Sequence, residues 1–342
     1  MKTQKIISII TIIISLSLIV YMCVIMGKDS RGDKNSDPTS SNIVMINTPA
    51  PVTGGDATGS QATPTTGIAS PAPSVNVTAV PGGKTSANPN YAGKKLIAIT
   101  FDDGPHGTYT PKILDMLKEK NVHVTFFVLG ENLQSAGQKA ILKREFDEGH
   151  EIASHSYNHP DFKKLTADQI TDQLQKTDSV IQEVTGKSPV LFRPPYGSYN
   201  QSISQQSQKA IVLWSIDSRD WDHISAKSIK NYAAANGVSE EAAKEKLIND
   251  VLFDGFTYTS NGKEYNNPSV VSQLKHGSIL LFHDIHPGSG EAVGKLIDYL
   301  KQSGEYECMT VSQLIQTEQR APIAGDVYAY MWETYATQKK NW

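Results

Sequence analysis

The amino-acid sequence predicts an α/β fold, a distorted (β/α) barrel of about seven strand–helix units, and three observations carry that expectation. Short β-rich runs alternate with helix-period segments from Lys94 onward, the pattern of a parallel sheet with crossover helices. Seven such units in one stretch suit a closed or nearly closed barrel better than two small domains. Clusters of polar residues fall where those strands end, and in a barrel the chemistry collects at the C-terminal ends of the strands.

The chain ahead of the barrel is of a different kind. Lys2 and Lys5 precede a charge-free run from Ile6 to Met26, rich in Ile, Leu and Val, long enough to cross a hydrocarbon core of about 30 Å as a helix. Residues 1–28 are therefore expected to be a cytoplasmic start and a single transmembrane anchor, with everything after Lys28 outside the membrane. A cleaved signal peptide, which would make the protein secreted, is the alternative, but the run is long for one and Val24–Lys28 lacks a small-residue cleavage site. Residues 29–90 follow, in which 32 of 62 are Ser, Thr, Pro or Gly and none is Phe, Tyr or Trp. Such a segment cannot bury enough apolar surface to order itself and is expected to be a flexible linker. The formal net charge of −3, spread over 342 residues of mixed sign, gives no footprint for nucleic acid. Cys23 and Cys308 are too differently placed to form a disulfide; Cys308 reads as a small buried strand residue.

Within the expected catalytic domain, residues 91–318, the strand-like runs are Lys94–Phe101, Val122–Leu129, Glu151–Ser154, Val190–Arg193, Ala210–Ile216, Ser278–His283 and Tyr306–Val311. Helical patterns lie between them at Thr110–Lys120, Ser135–Glu148, Thr166–Thr185, Asn200–Lys209 and Ala292–Ser303.

Five clusters close these strands. Asp102 and Asp103 are adjacent carboxylates, and Gly104 after them permits an unusual turn. His155 and His159 are four positions apart; on a helix both rings would face one direction, a spacing suited to a divalent transition metal such as zinc. With Asp103 as a third ligand, two nitrogens and one oxygen would leave positions open for water and substrate. Arg193 is followed by Pro194 and Pro195, which have no N–H, so the first free backbone donor is Tyr196. Asp217-Ser218-Arg219-Asp220-Trp221 and Leu280-Leu281-Phe282-His283-Asp284-Ile285-His286 complete the set. Singly, each has a bland reading as a capped turn, a surface histidine pair, a salt-bridged loop or a core histidine. Five at successive strand ends require a shared cause.

In this order Thr-Phe-Asp-Asp-Gly, His-Ser-x-x-His, Arg-Pro-Pro-Tyr-Gly, Asp-x-x-Asp-Trp and Leu-x-His resemble the polysaccharide deacetylases (carbohydrate esterase family 4, the NodB-homology domain), over about Lys94 to Leu314. The resemblance extends to membrane-anchored peptidoglycan N-acetylglucosamine deacetylases. It implies that Asp103, His155 and His159 bind a divalent metal, zinc first, with cobalt or nickel as alternatives. It further implies Asp102 as general base held by Arg193, His283 as general acid oriented by Asp220, Trp221 and Leu281 as walls of an acetyl pocket, and the Tyr196 N–H as oxyanion donor. The implied reaction is N-deacetylation of N-acetylhexosamine in a cell-wall polysaccharide, peptidoglycan above others, by a monomer whose partners are the polysaccharide and the membrane.

Two rivals remain: an O-acetyl esterase on xylan or a chitin oligomer deacetylase, and a non-catalytic glycan-binding relative, against which the full set of polar residues argues. An insertion at about 222–275 includes a good helix start at Ser239 and continues into an aromatic, turn-rich stretch, and it reads as a lid, a glycan contact or a solvated excursion. The tail, residues 319–342, carries Tyr328, Tyr330, Trp332 and Tyr335, which are expected to pack on the barrel, with stacking on sugar rings as the alternative.

Overall fold

A computed structural model describes Tyr91, residues 93–317 and residues 321–329; the expected anchor, the linker and the end of the tail lie outside them. No helix among the described residues is long and apolar enough to cross a membrane. Among the described residues, eleven strands run in chain order as β1 (Lys95–Asp102), β2 (Thr125–Val128), β3 (Glu151–Ser154), β4 (Leu191–Phe192), β5 (Ala210–Val212), β6 (Ile216–Asp217), β7 (Phe256–Ser260), β8 (Lys263–Asn267), β9 (Ser278–His283), β10 (Tyr306–Cys308) and β11 (Val327–Tyr328). The helices are α1 (Tyr109–Glu119), α2 (Ala136–Asp147), α3 (Ala167–Thr185), α4 (Gln201–Ser207), α5 (Asp220–His223), α6 (Ala226–Asn236), α7 (Glu240–Asn249), α8 (Val270–Gln273), α9 (Ser289–Ser303) and α10 (Val311–Gln316). Caps fix several of their ends. Thr166 and Gln169 form a reciprocal capping box at the start of α3, and Gly186 ends it at φ 74°, where a side chain would be strained.

The main sheet has the order β11-β5-β4-β3-β2-β1-β9-β6, with β10 also beside β1, and every pair in it is parallel. It is strongly curled. Six strand steps separate β5 from β6 along the sheet, roughly 29 Å if it were flat, yet only Leu213–Ser215 joins them, a reach of roughly 14 Å. The two ends of the sheet must therefore come round toward each other, leaving a seam between β5 and β6. The run Ala210–Ile216, expected as one strand, is thus two strands on opposite sides of that seam, and the barrel is incompletely closed.

Period-two alternation sorts the side chains. Ile97, Ile99 and Phe101 of β1, with Leu280 and Phe282 of β9, face the helices; Leu96, Ala98 and Ile279 face inward with Phe127, Ala153, Leu191 and Val212. Helix α10 closes the N-terminal end of the barrel with Val311, Leu314 and Ile315. The inward rows of β1 and β9 then turn polar toward their C-terminal ends: Thr100 and Asp102 on one, His283 on the other. Glu151–Ser154 and Ser278–His283 form strands with the expected bounds, Val122–Leu129 and Val190–Arg193 shorten to β2 and β4, and Val311, expected to end the last strand, instead starts α10. Tyr328 from the tail is buried and its strand pairs with β5.

The insertion carries α6, α7 with Ser239 as its N-cap, and a hairpin of β7 and β8. Asn261 and Gly262 turn that hairpin with φ 50° and 71°, the Asn-Gly chemistry of a tight type I′ turn.

Candidate active site

The strand ends place the polar residues around one point. Asp103, just past β1, takes φ 75°. The unusual backbone expected at Gly104 is therefore carried by Asp103 itself; Gly104 is required instead by close approach, since a Cβ there would overlap the Asp284 carboxylate. Asn132 shapes the same turn, donating its amide to the carbonyl of Asp103 at 2.6 Å.

His155 and His159 lie in a loop after β3, not on a helix: Ser156 and His159 have φ 77° and 60°. The loop's backbone bonds go elsewhere. Gly130 and Glu131 N–H groups donate to the carbonyls of Ser156 and Tyr157, and the Gln173 side chain of α3 accepts from the N–H groups of Tyr157 and Asn158 at 2.9 and 3.2 Å. Held so, Asp103, His155 and His159 bring one ligand atom each within 4.8 Å of one another. Asp103 Oδ1 lies 3.5 Å from His155 Nε2 and 3.6 Å from His159 Nε2, and it is buried without a hydrogen-bond partner. His155 Nδ1 sits 2.7 Å from the carbonyl of Arg193, a contact that fixes the proton on Nδ1 and leaves Nε2 as an acceptor. Burial pushes the pKa of this imidazole down to about 3, so it is neutral. Two acceptors facing each other with no proton between them repel unless a cation lies there, and a set of two nitrogens and one oxygen fits a divalent metal.

Asp102 points inward beside this cluster, its Oδ2 3.6 Å from His155 Nε2. Arg193, fully buried, donates to Asp102 Oδ1 at 2.7 Å and Thr100 Oγ1 at 2.8 Å. Its remaining donors meet the carbonyls of Val212 and Leu213 at 3.1 and 3.0 Å, at the seam, and its guanidinium lies 4.1 Å from the Phe127 ring centroid. Burial raises the Asp102 pKa, with Arg193 opposing, and burial likewise lowers that of Arg193; each charge persists because the other is present.

His283 is the lateral neighbour of Asp102 on β9. Its ring Nδ1 is 2.8 Å from Asp220 Oδ1, while its backbone N–H donates to Asp220 Oδ2 at 2.7 Å. Ser289 donates to Oδ2 and the Trp221 N–H to Oδ1. Burial alone would depress the imidazole, but the Asp220 carboxylate, its hydrogen bond, and Asp102 and Asp103 raise it to about 9. Asp220 is held below the usual carboxylate range, the His283 charge overcoming burial, so the two values describe one ion pair.

Leu281 is buried two residues before His283 on the same strand face. Trp221 is 42 % exposed. Tyr196 takes φ 60° and its ring meets that of His159 edge-on, centroids 4.6 Å apart. All ten residues singled out in the sequence thus fall around the C-terminal end of the barrel. Asn132, Gln173 and Ser289 were not legible there, because an amide or a hydroxyl contacting a distant residue leaves no local pattern; the Asp284 carboxylate, which accepts from Thr110, stood in the fifth cluster without a role.

Residues 90–212 match the model of the polysaccharide deacetylase family. A peptidoglycan N-acetylglucosamine deacetylase of Listeria monocytogenes is 33% identical over 242 residues, 70% of this chain and 41% of its own, so the chain spans about two fifths of that relative's length. A peptidoglycan N-acetylmuramic acid deacetylase of Bacillus subtilis is 32% identical over 234 residues, 67% of this chain and 75% of its own. Among solved structures, a family 4 acetyl xylan esterase from Clostridium thermocellum in complex with cobalt superposes with a TM-score of 0.53 at 28% identity, covering 70% of this chain and all of that one. The chain belongs to the polysaccharide deacetylase family.

Proposed function

We propose that the protein is a metal-dependent N-deacetylase of N-acetylhexosamine residues in a cell-wall polysaccharide, peptidoglycan first, releasing acetate. The observation that carries this reading is the buried, partnerless Asp103 Oδ1 facing the Nε2 atoms of His155 and His159. Those three residues would hold the metal, zinc by its donor set, with cobalt or nickel as alternatives. When bound, it would polarise the amide carbonyl and lower the pKa of the attacking water.

Asp102, buried and oriented by Arg193, takes the proton from that water as general base. Its raised pKa makes it a stronger base than an exposed aspartate. The Tyr196 N–H, the first backbone donor after two prolines, supports the oxyanion. His283, kept protonated by Asp220, delivers its proton to the departing nitrogen, the step an amide needs most. Trp221 and Leu281 flank that acid and wall the space for the acetyl methyl. The support for peptidoglycan is that the Listeria and Bacillus relatives are named for it; an apolar anchor at Ile6–Met26 and a linker at residues 29–90 would hold a monomeric domain beside the wall.

The acetyl xylan esterase likeness favours a second reading, O-deacetylation of xylan, since the same groups would cleave an easier bond. Acetate release from purified peptidoglycan, chitin oligomers and acetylated xylan, each with chelator and with zinc restored, tests both. Release from peptidoglycan that chelation abolishes is expected; release from xylan alone would overturn the main reading.

A further inference from the structure

The insertion hairpin docks directly on the turn that carries Asp220. Phe256 stacks on His223, centroids 3.6 Å apart at 14°, and the Arg219 guanidinium lies 3.5 Å from the Tyr258 ring centroid and 4.7 Å from that of Trp221. Arg219 is itself held by Asp222 at 2.7 Å. Across the hairpin, Tyr258 pairs directly with Tyr265, and the two rings stack with centroids 5.4 Å apart at 20°. Four planar groups, Trp221, Arg219, Tyr258 and Tyr265, therefore run without interruption from the reaction centre out along the hairpin.

Docking accounts for only part of that series. The contacts of Phe256 with His223 and of Tyr258 with Arg219 already fix the hairpin. Tyr265 lies beyond them, stacked behind Tyr258 and 42 % exposed, amid exposed Thr, Ser, Lys, Glu and Asn residues of the same two strands. Tyr265, an aromatic ring left at the surface and joined to a binding site through the half-buried Tyr258, marks a contact surface. Its chemistry selects the occupant: a pyranose ring has an apolar C–H face that lies against an aromatic face, while its hydroxyls stay in water at the edges. Trp221, equally exposed at the inner end of the series, offers the same kind of face.

We propose that the Tyr258–Tyr265 pair is a glycan subsite, taking a sugar ring of the same polysaccharide chain whose acetylated sugar lies at Trp221, with Arg219 setting the spacing between the two. This rests on the deacetylase reading above. The insertion then makes the enzyme sensitive to chain length, because only a polymer long enough to reach both places gains the second contact.

The full chain, loaded with zinc, is assayed for acetate release from N-acetylglucosamine oligomers of two to six units. Tyr265→Thr keeps a strand-forming residue and removes the ring. It should raise KM for the hexamer about tenfold with kcat within twofold, a loss of about 1.4 kcal/mol, and should affect the hexamer at least fivefold more than the dimer. Tyr265→Trp should restore the wild-type length dependence. Equal losses on dimer and hexamer, no loss on either, or failure of Tyr265→Trp to rescue would overturn the subsite. If the wild type releases acetate from acetylated xylo-oligomers alone, the N-deacetylase reading fails and the same length series on those oligomers decides the subsite. Hexamer binding to Asp102→Asn, with and without Tyr265→Thr, decides it independently of turnover: a tenfold weaker Kd supports it and an unchanged Kd overturns it.

Discussion

At the scale of single residues, Asp102 and Asp103 are adjacent in sequence but separated in task by one backbone angle. Asp102 keeps strand geometry and points into the barrel toward Arg193, whereas the φ of 75° at Asp103 swings its carboxylate to the two imidazoles. Asp103→Asn should therefore empty the metal site, measured as zinc per chain, because an amide oxygen is a poorer ligand than a carboxylate. Asp102→Asn should keep full zinc and lose about 100-fold or more in kcat, the usual scale of a positioned base; zinc loss in that variant and not in Asp103→Asn would reverse the assignment. Asp220 makes a third case. It accepts from the His283 ring, the His283 N–H, Ser289 and the Trp221 N–H, and an asparagine amide facing the His283 N–H would set donor against donor. Asp220→Asn should thus lower thermal stability as well as move the alkaline limb of kcat/KM to lower pH, since the imidazolium loses the carboxylate that raises its pKa. An alkaline limb that stays put at full zinc content would make Asp220 a structural residue only.

Whether an element was legible depended on whether its cause was local. Two helix starts were, because Thr166 and Ser239 cap their own helices through contacts three residues away; the start at Thr310 was not, since its residues lie in a run that reads as strand. The Asp102 strand was, because a β-rich run and the two carboxylates that end it are written consecutively from Lys95 to Asp103. The seam was not: Ala210–Ile216 reads as one apolar run, and only the closure of the distant strands decides that Ile211 pairs toward β4 while Ile216 pairs toward β9. The histidine loop was half legible. Its spacing pointed to a metal, but its helical rationale was wrong, since the loop takes its shape from α3 through Gln173. Gln173→Ala removes the acceptor for two backbone N–H groups and leaves the ligands untouched. It should lower zinc affinity about 10–100-fold, the range for residues that orient ligands, with only a small change in melting temperature. Competition with a fluorescent chelator measures this, and an unchanged affinity would show that β3 and the Gly130 turn alone hold the loop.

Across the whole molecule, the barrel gathers ionisable groups in places where burial and neighbours move them in opposite directions, so stability should carry a pH signature of its own. His150 and His155 are depressed by burial, to about 4 and about 3; the unfolded chain binds protons there that the folded chain does not, which favours folding as pH rises toward 6.5. Burial raises Glu145 well above its ordinary value and Asp284 to about 7, which acts the other way over much of that range. Between pH 7 and 9 the two histidines have finished titrating, Asp284 is completing its own titration from about 7, and a further loss in the same direction comes from His283. Its folded pKa of about 9 lies above its unfolded value of 6.5, so its pairing with Asp220 contributes stability that is complete below pH 6.5 and is lost as pH climbs through about 9. At 1.36 kcal/mol per unit that loss is about 3 kcal/mol. For a domain of this size each kcal/mol moves the melting temperature by roughly 2–4 °C. The chelator-treated chain should therefore melt several degrees lower at pH 9.5 than at pH 6.5, and His283→Gln, which keeps a donor toward Asp220 without a titrating ring, should flatten that slope while melting lower at neutral pH. Zinc beside Asp103 would repel the imidazolium and lower its pKa, so the loaded protein should show a shallower slope than the chelated one. Parallel slopes for wild type and His283→Gln across pH 6.5–9.5 would mean that the ion pair is not what the folded state loses, and that the alkaline sensitivity lies with other groups.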